Sequence, residues 1–445
     1  MNPVDLLLKN AVCYLPTADF KNVKAEITDI AVKDGVIYDL GRDLQVKATI
    51  TEDLSGLHLS AGLIDSQVHF REPGMTHKED LETGTLSALY GGITAVFEMP
   101  NTQPSTTTRE LFYDKLTRAK GRTHTHYAFY FGASQDNLET LKQISNLPHC
   151  PGIKIFMGSS TGSLLVDSEE ILESIVQHTD KLLIVHSEDE KRLRERKHIA
   201  TESQDVHSHP VWRDVESAMI STQKIVRMAE KHKHRVHVLH ISSADEMTFL
   251  KEHKDYISVE VLPQHLTLYA PDCYDHLGTL AQQNPPIREK NHLEGLWQGV
   301  LNGTVDVLGS DHAPHTLEEK ANAYPQSPSG VPGVQTMFPL MLTHAAQKRL
   351  TVEKVIELLT LNVRRVFDIK NKGLLQKGMD ADFTIFDPNK KWTVTNEWIK
   401  SRSQWTPFNG MEFTGAVDSV FLRGKKVLKN NELLLPNQGE AVEFN

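Results

Sequence analysis

Cysteine is scarce: only Cys13, Cys150 and Cys273 occur in 445 residues, none in a Cys-x-x-Cys pair. That argues against a disulfide framework or a thiolate-built metal site and fits a reducing compartment. Long apolar runs are missing as well. No stretch approaches the ~20 apolar residues of a membrane-spanning helix. The opening segment MNPVDLLLKNAVCYLP lacks the basic region and long apolar core of a signal peptide. Basic blocks are absent from a chain of net charge −10, so neither a nucleic-acid nor an anionic-membrane surface is indicated. Internal repeats and low-complexity segments are absent too. The remaining composition, 39% hydrophobic and 24% charged, is that of an ordinary globular protein. The expectation is a cytoplasmic enzyme acting on a small molecule.

What is present is a series of short apolar runs, each followed by a helical stretch. The runs are GLIDSQVHF (62–70), ITAVFEM (93–99), HYAFYFG (126–132), IKIFMG (153–158), LLIVHS (182–187), RVHVLHIS (235–242), ISVEVL (257–262) and VDVLGSDH (305–312). Between them, segments such as RELFYDKLTRAK and SAMISTQKIVRMAEKH space their apolar residues for amphipathic helices. Apolar strands alternating with helices indicate a parallel sheet covered on both faces. Eight of them predict an α/β fold, a (β/α)₈ barrel over residues 61–372, with an open doubly wound sheet as the alternative. Residues 1–60 and 373–445 carry short strands and turns, too few at either end for a stable sheet. Together they predict a small composite β-sandwich ending in a polar tail.

In a parallel barrel the C-terminal strand ends converge on one face, where the active site is built. Gln67, His69 and Arg71 lie at the end of the first run, and Asn101 follows the second. Lys154 lies in the fourth, His186 in the fifth, His240 in the sixth and Asp311 in the eighth. Any one of the 22 histidines could be an ordinary surface or core residue. Three histidines, a lysine and an aspartate aimed at one mouth point instead to a shared metal site. Imidazole and carboxylate donors suit Zn²⁺. Lys154 is an expensive residue in an apolar strand, and an ammonium cannot ligate. Reaction of its neutral amine with CO₂ would give a carbamate able to bridge two cations.

These residues resemble the amidohydrolase superfamily and, within it, the dihydroorotase family of cyclic amidohydrolases. The matching stretches are 65–74 (DSQVHFREPG), 99–102 (MPNT), 152–162 (GIKIFMGSSTG), His186 in VHSEDE, His240 in LHISS, and 309–315 (GSDHAPH). They occur in family order and span almost the whole chain. The resemblance implies two zinc ions bridged by carboxylated Lys154. His186 and His240 would hold one ion, and His69 and Asp311 the other. Asp311 would move a proton from the attacking water to the departing amide nitrogen. Arg71 and Asn101, with His315 assisting, would grip the ring carboxylate of dihydroorotate. Asn284 and the loop 327–333 would contact the ring, although a proline-rich turn explains those two segments equally well. The implied reaction interconverts L-dihydroorotate and N-carbamoyl-L-aspartate in pyrimidine synthesis, commonly in a homodimer.

Two positions depart from that pattern. Gln67 stands where the family has the first histidine of a His-x-His pair, and Gln264 stands where a second histidine is common. A neutral amide oxygen is a poorer zinc ligand than imidazole, so one zinc or two per chain are both open. Allantoinase and hydantoinase are the nearest rivals, but their substrates lack the carboxylate that Arg71 and Asn101 would bind. A non-catalytic scaffold for aspartate transcarbamoylase is the rival from another class, against which Lys154 and Asp311 argue.

Overall fold

The computed structural model describes residues 3–159 and 164–445. The end of the glycine- and serine-rich stretch after Lys154, residues 160–163, lies outside the described residues.

The eight apolar runs form a closed parallel barrel. Its strands are Leu63–Val68, Ile93–Glu98, His126–Phe129 (continued by Phe131–Gly132), Ile153–Phe156, Leu183–His186, Val236–Val238, Ile257–Val261 and Val307–Leu308. Neighbours in sequence are neighbours in the ring: Lys154 pairs with Ile184, Ile184 with His237, and Val261 with Leu308. Closure comes from a parallel bridge between Val68 and His312, where His69 N donates to His312 O at 2.8 Å. Nearly every strand residue is buried, as continuous apolar runs require of a sheet covered on both faces.

The connecting helices follow their local signals. Arg109–Ala119 starts at Thr108, whose side chain accepts from Leu111 N, and Val215–His232 starts at Asp214, which accepts from Ser217 N. Such caps satisfy amide donors that the first helical turn leaves without partners. Both helices bury one face, Phe112 and Ala119 in the first, Ile225, Val226 and Ala229 in the second. Among the described residues no helix is long and apolar enough to cross a membrane.

The composite domain of the two termini takes the form of one nine-stranded sheet. Its junction is the antiparallel pairing of His58–Ala61 with Phe383–Phe386, in which Leu59 faces Ile385 and Ala61 faces Phe383. Leu8, Ile30, Leu59, Phe383 and Phe421 form its own buried cluster. A buried ionic knot ties it to the barrel: Lys372 Nζ lies 2.7 Å from both Asp380 and Asp382, and Asp382 also meets His126 at 3.2 Å. The last residues are held rather than loose. Tyr127 N donates to Glu440 O, and Val442 N donates to Tyr127 O, which seats the tail against the third barrel strand.

Candidate active site

The residues singled out at the strand ends do gather at one mouth. Lys154 and His186 belong to their strands, while His69 and His240 lie just beyond theirs. Asp311 lies three residues past the eighth strand with φ +45°, and His240 (φ +37°) and Arg71 (φ +62°) share that left-handed backbone. This backbone is uncommon outside glycine and recurs where a side chain must be aimed at a site. All are buried.

On one side of the mouth, His186 Nε2 donates to Glu188 at 2.8 Å, and Glu188 is paired in turn with the buried Arg213 guanidinium. Burial alone would raise the Glu188 carboxyl, yet Arg213 and His186 hold it well below the usual range. With its proton on Nε2, His186 presents the lone pair of Nδ1, which lies 3.1 Å from His240 Nε2. Burial holds both imidazoles neutral: His186 is shifted down despite Glu188, and His240 well down by burial and by His186 and Lys154.

On the other side, His69 Nδ1 donates to Asn101 Oδ1 at 2.7 Å, so its Nε2 lone pair faces Asp311 Oδ1 at 3.1 Å. Gln67 Nε2 donates to the same Asp311 oxygen at 2.9 Å, and Gln67 Oε1 is buried without a partner among the described residues. Between the two sides stands Lys154, 1% exposed and 4.6 Å from the Phe156 ring. Burial pushes it down to about 7, partly opposed by Asp311 and Glu260. A large share of neutral amine at neutral pH is the condition for reaction with CO₂.

These donors fit a divalent metal. Two imidazole nitrogens on a tetrahedral zinc, each at ~2.0–2.1 Å, stand about 3.4 Å apart, close to the observed His186–His240 separation. On the His69 side an acceptor pair faces itself across 3.1 Å, an arrangement that a cation or a proton must relieve. The outward hydrogen bonds to Glu188 and Asn101 fix the tautomers, as partners behind metal-binding histidines do. Among the described residues no three His, Cys, Asp or Glu side chains form a metal cage by themselves. Lys154, between the two sides, could add an oxygen donor to either of them if its amine were carboxylated.

The substrate-side residues cluster beside the Asp311 half. Arg71 is 3% exposed; its Nε donates to Pro314 O, and its Nη2 lies 3.3 Å from His315 Nε2. Burial pulls Arg71 down to about 10. His315 accepts from Lys78 Nζ and donates to Ser329 O, both at 3.1 Å. Burial, reinforced by Arg71, Lys78 and Lys320, keeps its ring neutral. Asn284 lies across the mouth, its Oδ1 accepting from His209 Nε2 at 3.0 Å. A cavity of about 420 Å³ opens beside the mouth, lined by Arg213 behind the His186 side and by Gln282, Asn284 and Ser329. Asn101 is placed as the partner of His69, a role not foreseen in the sequence.

Sequence reasoning also passed over Glu188, Asp65 and Glu260. Glu188 lies two residues after His186, which was a usable signal. Asp65 Oδ1 accepts from Gln67 N and Ser310 N, each at 3.1 Å, and so fixes the backbone under both Gln67 and Asp311. Glu260, pushed up to about 8 by burial and then by Asp311, meets Ser66 and the His240 amide. Gln264, the second departure, donates to Ser310 O at 2.8 Å and so steadies the segment that carries Asp311.

Known proteins carry the same architecture. The amidohydrolase family profile matches residues 58–427. The chain is 33% identical over 436 residues to a dihydroorotase of Methanosarcina mazei, covering 94% of this chain and 91% of that one. It is 30% identical over 438 residues to a dihydroorotase of Methanosphaera stadtmanae, covering 96% and 97%. An allantoinase of Escherichia coli is 31% identical over 442 residues, 94% of each chain. Among solved structures, the L-hydantoinase (dihydropyrimidinase) of Arthrobacter aurescens superposes with a TM-score of 0.93 at 28% identity, covering 99% of this chain and 100% of that one. The chain belongs to the amidohydrolase family.

Proposed function

We propose that this protein opens and closes the cyclic amide of L-dihydroorotate, interconverting it with N-carbamoyl-L-aspartate, at a zinc site held by His69, Lys154, His186, His240 and Asp311. Family membership and the two archaeal dihydroorotases support the reaction. Arg71 carries the choice of substrate. A buried guanidinium normally has a carboxylate for its planar fork of donors. Among the described residues Arg71 has none, only a backbone carbonyl and the neutral His315 ring. The missing anion is supplied by the ring carboxylate of dihydroorotate, which allantoin and hydantoin lack.

Zinc held by His69, Lys154, His186, His240 and Asp311 would supply a Lewis acid able to lower the pKa of water and polarise the amide carbonyl. The chain's own residues do the rest. Arg71 orients the ring carboxylate, with His315 beside its guanidinium, and Asn284 borders the opposite edge. Asp311, held by Gln67 and aimed by its left-handed backbone, accepts a proton from the attacking water and delivers it to the ring nitrogen. The carbonyl carbon gains a C–O bond and loses its C–N bond. The second water proton leaves with the new carboxylic acid, which ionises. Asp311 then accepts a proton from the amide-forming nitrogen when the reaction runs backwards.

A second reading, hydrolysis of a cyclic amide without a carboxylate, is favoured by the close superposition on L-hydantoinase. Turnover of L-dihydroorotate, allantoin and hydantoin by one zinc-loaded preparation separates the two. The expected result is a kcat/KM for L-dihydroorotate about 10⁴-fold or more above the others, the scale of discrimination when a buried polar partner is left unmatched. Preference for hydantoin or allantoin would overturn the assignment.

A further inference from the structure

Lys320 touches none of the groups assigned to the reaction, yet it is one of the most deeply buried cations in the molecule. It ends the short helix Leu317–Lys320, which follows His315 directly, and is 1% exposed. Among the described residues no carboxylate pairs with it. Its Nζ instead donates to three backbone carbonyls, Gln282 O at 3.0 Å, Pro328 O at 2.9 Å and Gly330 O at 3.2 Å. The ring of Trp405 lies 6.0 Å away, and Trp405 Nε1 donates to His315 O at 2.8 Å. Burying an ammonium without a counter-charge is costly, and burial alone pulls this one down to about 7. A methionine would fill similar space at lower cost. The three carbonyls are therefore the reason for a lysine.

Those carbonyls belong to the two loops that border the cavity. Gln282 lies two residues before Asn284, and Pro328 and Gly330 flank Ser329, the residue that accepts from His315. The loops also bond each other: Gly330 N donates to Gln282 O, and Gln282 Nε2 donates to Ser327 O and Ser329 Oγ. Gly330, at φ +147°, lies so close to the His315 ring that a Cβ there would come within 3.0 Å of it. Lys320 thus adds three bonds to the direct ones that join the Asn284 loop to the loop carrying Ser329, the partner of His315.

We propose that Lys320 is a positioning residue for substrate, pinning the 282–284 and 327–330 loops so that both edges of the binding cavity keep their spacing. The inference rests on reading that cavity as the substrate's, and a wild-type protein inert towards L-dihydroorotate would sink that reading before any variant is made.

The test is steady-state kinetics of Lys320→Met with zinc content matched to wild type. Loss of charge-assisted bonds that serve binding is expected to raise KM about tenfold or more while kcat stays within about threefold. Lys320→Gln, which keeps a donor, should recover part of the KM. A variant that only unfolds more easily would lower kcat in proportion to its active fraction and leave KM alone. That result, or an unchanged KM in well-folded protein, overturns the proposal. If Lys320→Met fails to fold, Gln282→Ala removes a second link between the same loops. It should raise KM about threefold, the weight of a neutral hydrogen bond, and an unchanged KM there is equally fatal.

Discussion

On one side of the barrel mouth two imidazoles face each other across 3.1 Å, backed by a carboxylate and a guanidinium. On the other side an imidazole faces a carboxylate across the same distance, and a primary amide donates to that carboxylate. The first half brings two imidazole nitrogens together, with no carboxylate or amide bonded to either of them. The second offers one nitrogen and one oxygen, with Gln67 drawing on the oxygen. Geometry alone does not distinguish the halves; hydrogen bonding does. On the proposed reading, the histidine half retains an ion and the aspartate half handles a proton beside it.

Removing the proton carrier should have the largest effect. Asp311→Asn keeps the shape and the acceptor for Gln67 but cannot take a proton, so kcat should fall about 10²–10⁴-fold while circular dichroism stays unchanged. Near-normal turnover would mean that the aspartate half is not the proton relay. Weakening the support of the histidine half comes next. Glu188→Gln leaves His186 with a neutral partner and Arg213 without its counter-charge, and zinc affinity should drop about 10–100-fold. Chelator competition measures this, and an unchanged affinity would show that Glu188 serves the fold alone. The smallest change should follow from restoring an imidazole to the other half. In wild-type protein, zinc titration should show a weaker class of site on the Asp311 side. Gln67→His should tighten that class and leave the histidine-pair class as it was. Equal affinities in wild type would erase the contrast between the halves.

Much of this site is legible in the sequence because barrel chemistry sits at strand ends, and strands here are contiguous apolar runs. His69, Lys154, His186, His240 and Asp311 could each be placed by counting along one run. What escaped was everything that depends on a partner far along the chain. Arg213 stands 25 residues from Glu188, Gln67 stands 244 from Asp311, and His126 stands 256 from Asp382. Periodicity reports which face a residue occupies and says nothing about what meets it there. Asn101 shows the limit: its position after the second strand was readable, but its bond to the His69 ring was not. The C-terminal tail is similar. Its polarity was readable, but the backbone bonds to Tyr127 that hold it to the barrel were not, because backbone donors leave no signature in side-chain pattern.

The most direct test of the account is metal removal and return under controlled carbon dioxide. Protein stripped with a chelator should lose L-dihydroorotate hydrolysis and regain it on adding zinc with bicarbonate. Because burial brings the Lys154 amine down to about 7, more of it is neutral as pH rises through that value. Recovery should therefore be faster at pH 8 than at pH 6, and slow without bicarbonate. Full activity in protein without bound metal, or inert protein carrying stoichiometric zinc and an intact carbamate, would contradict the account.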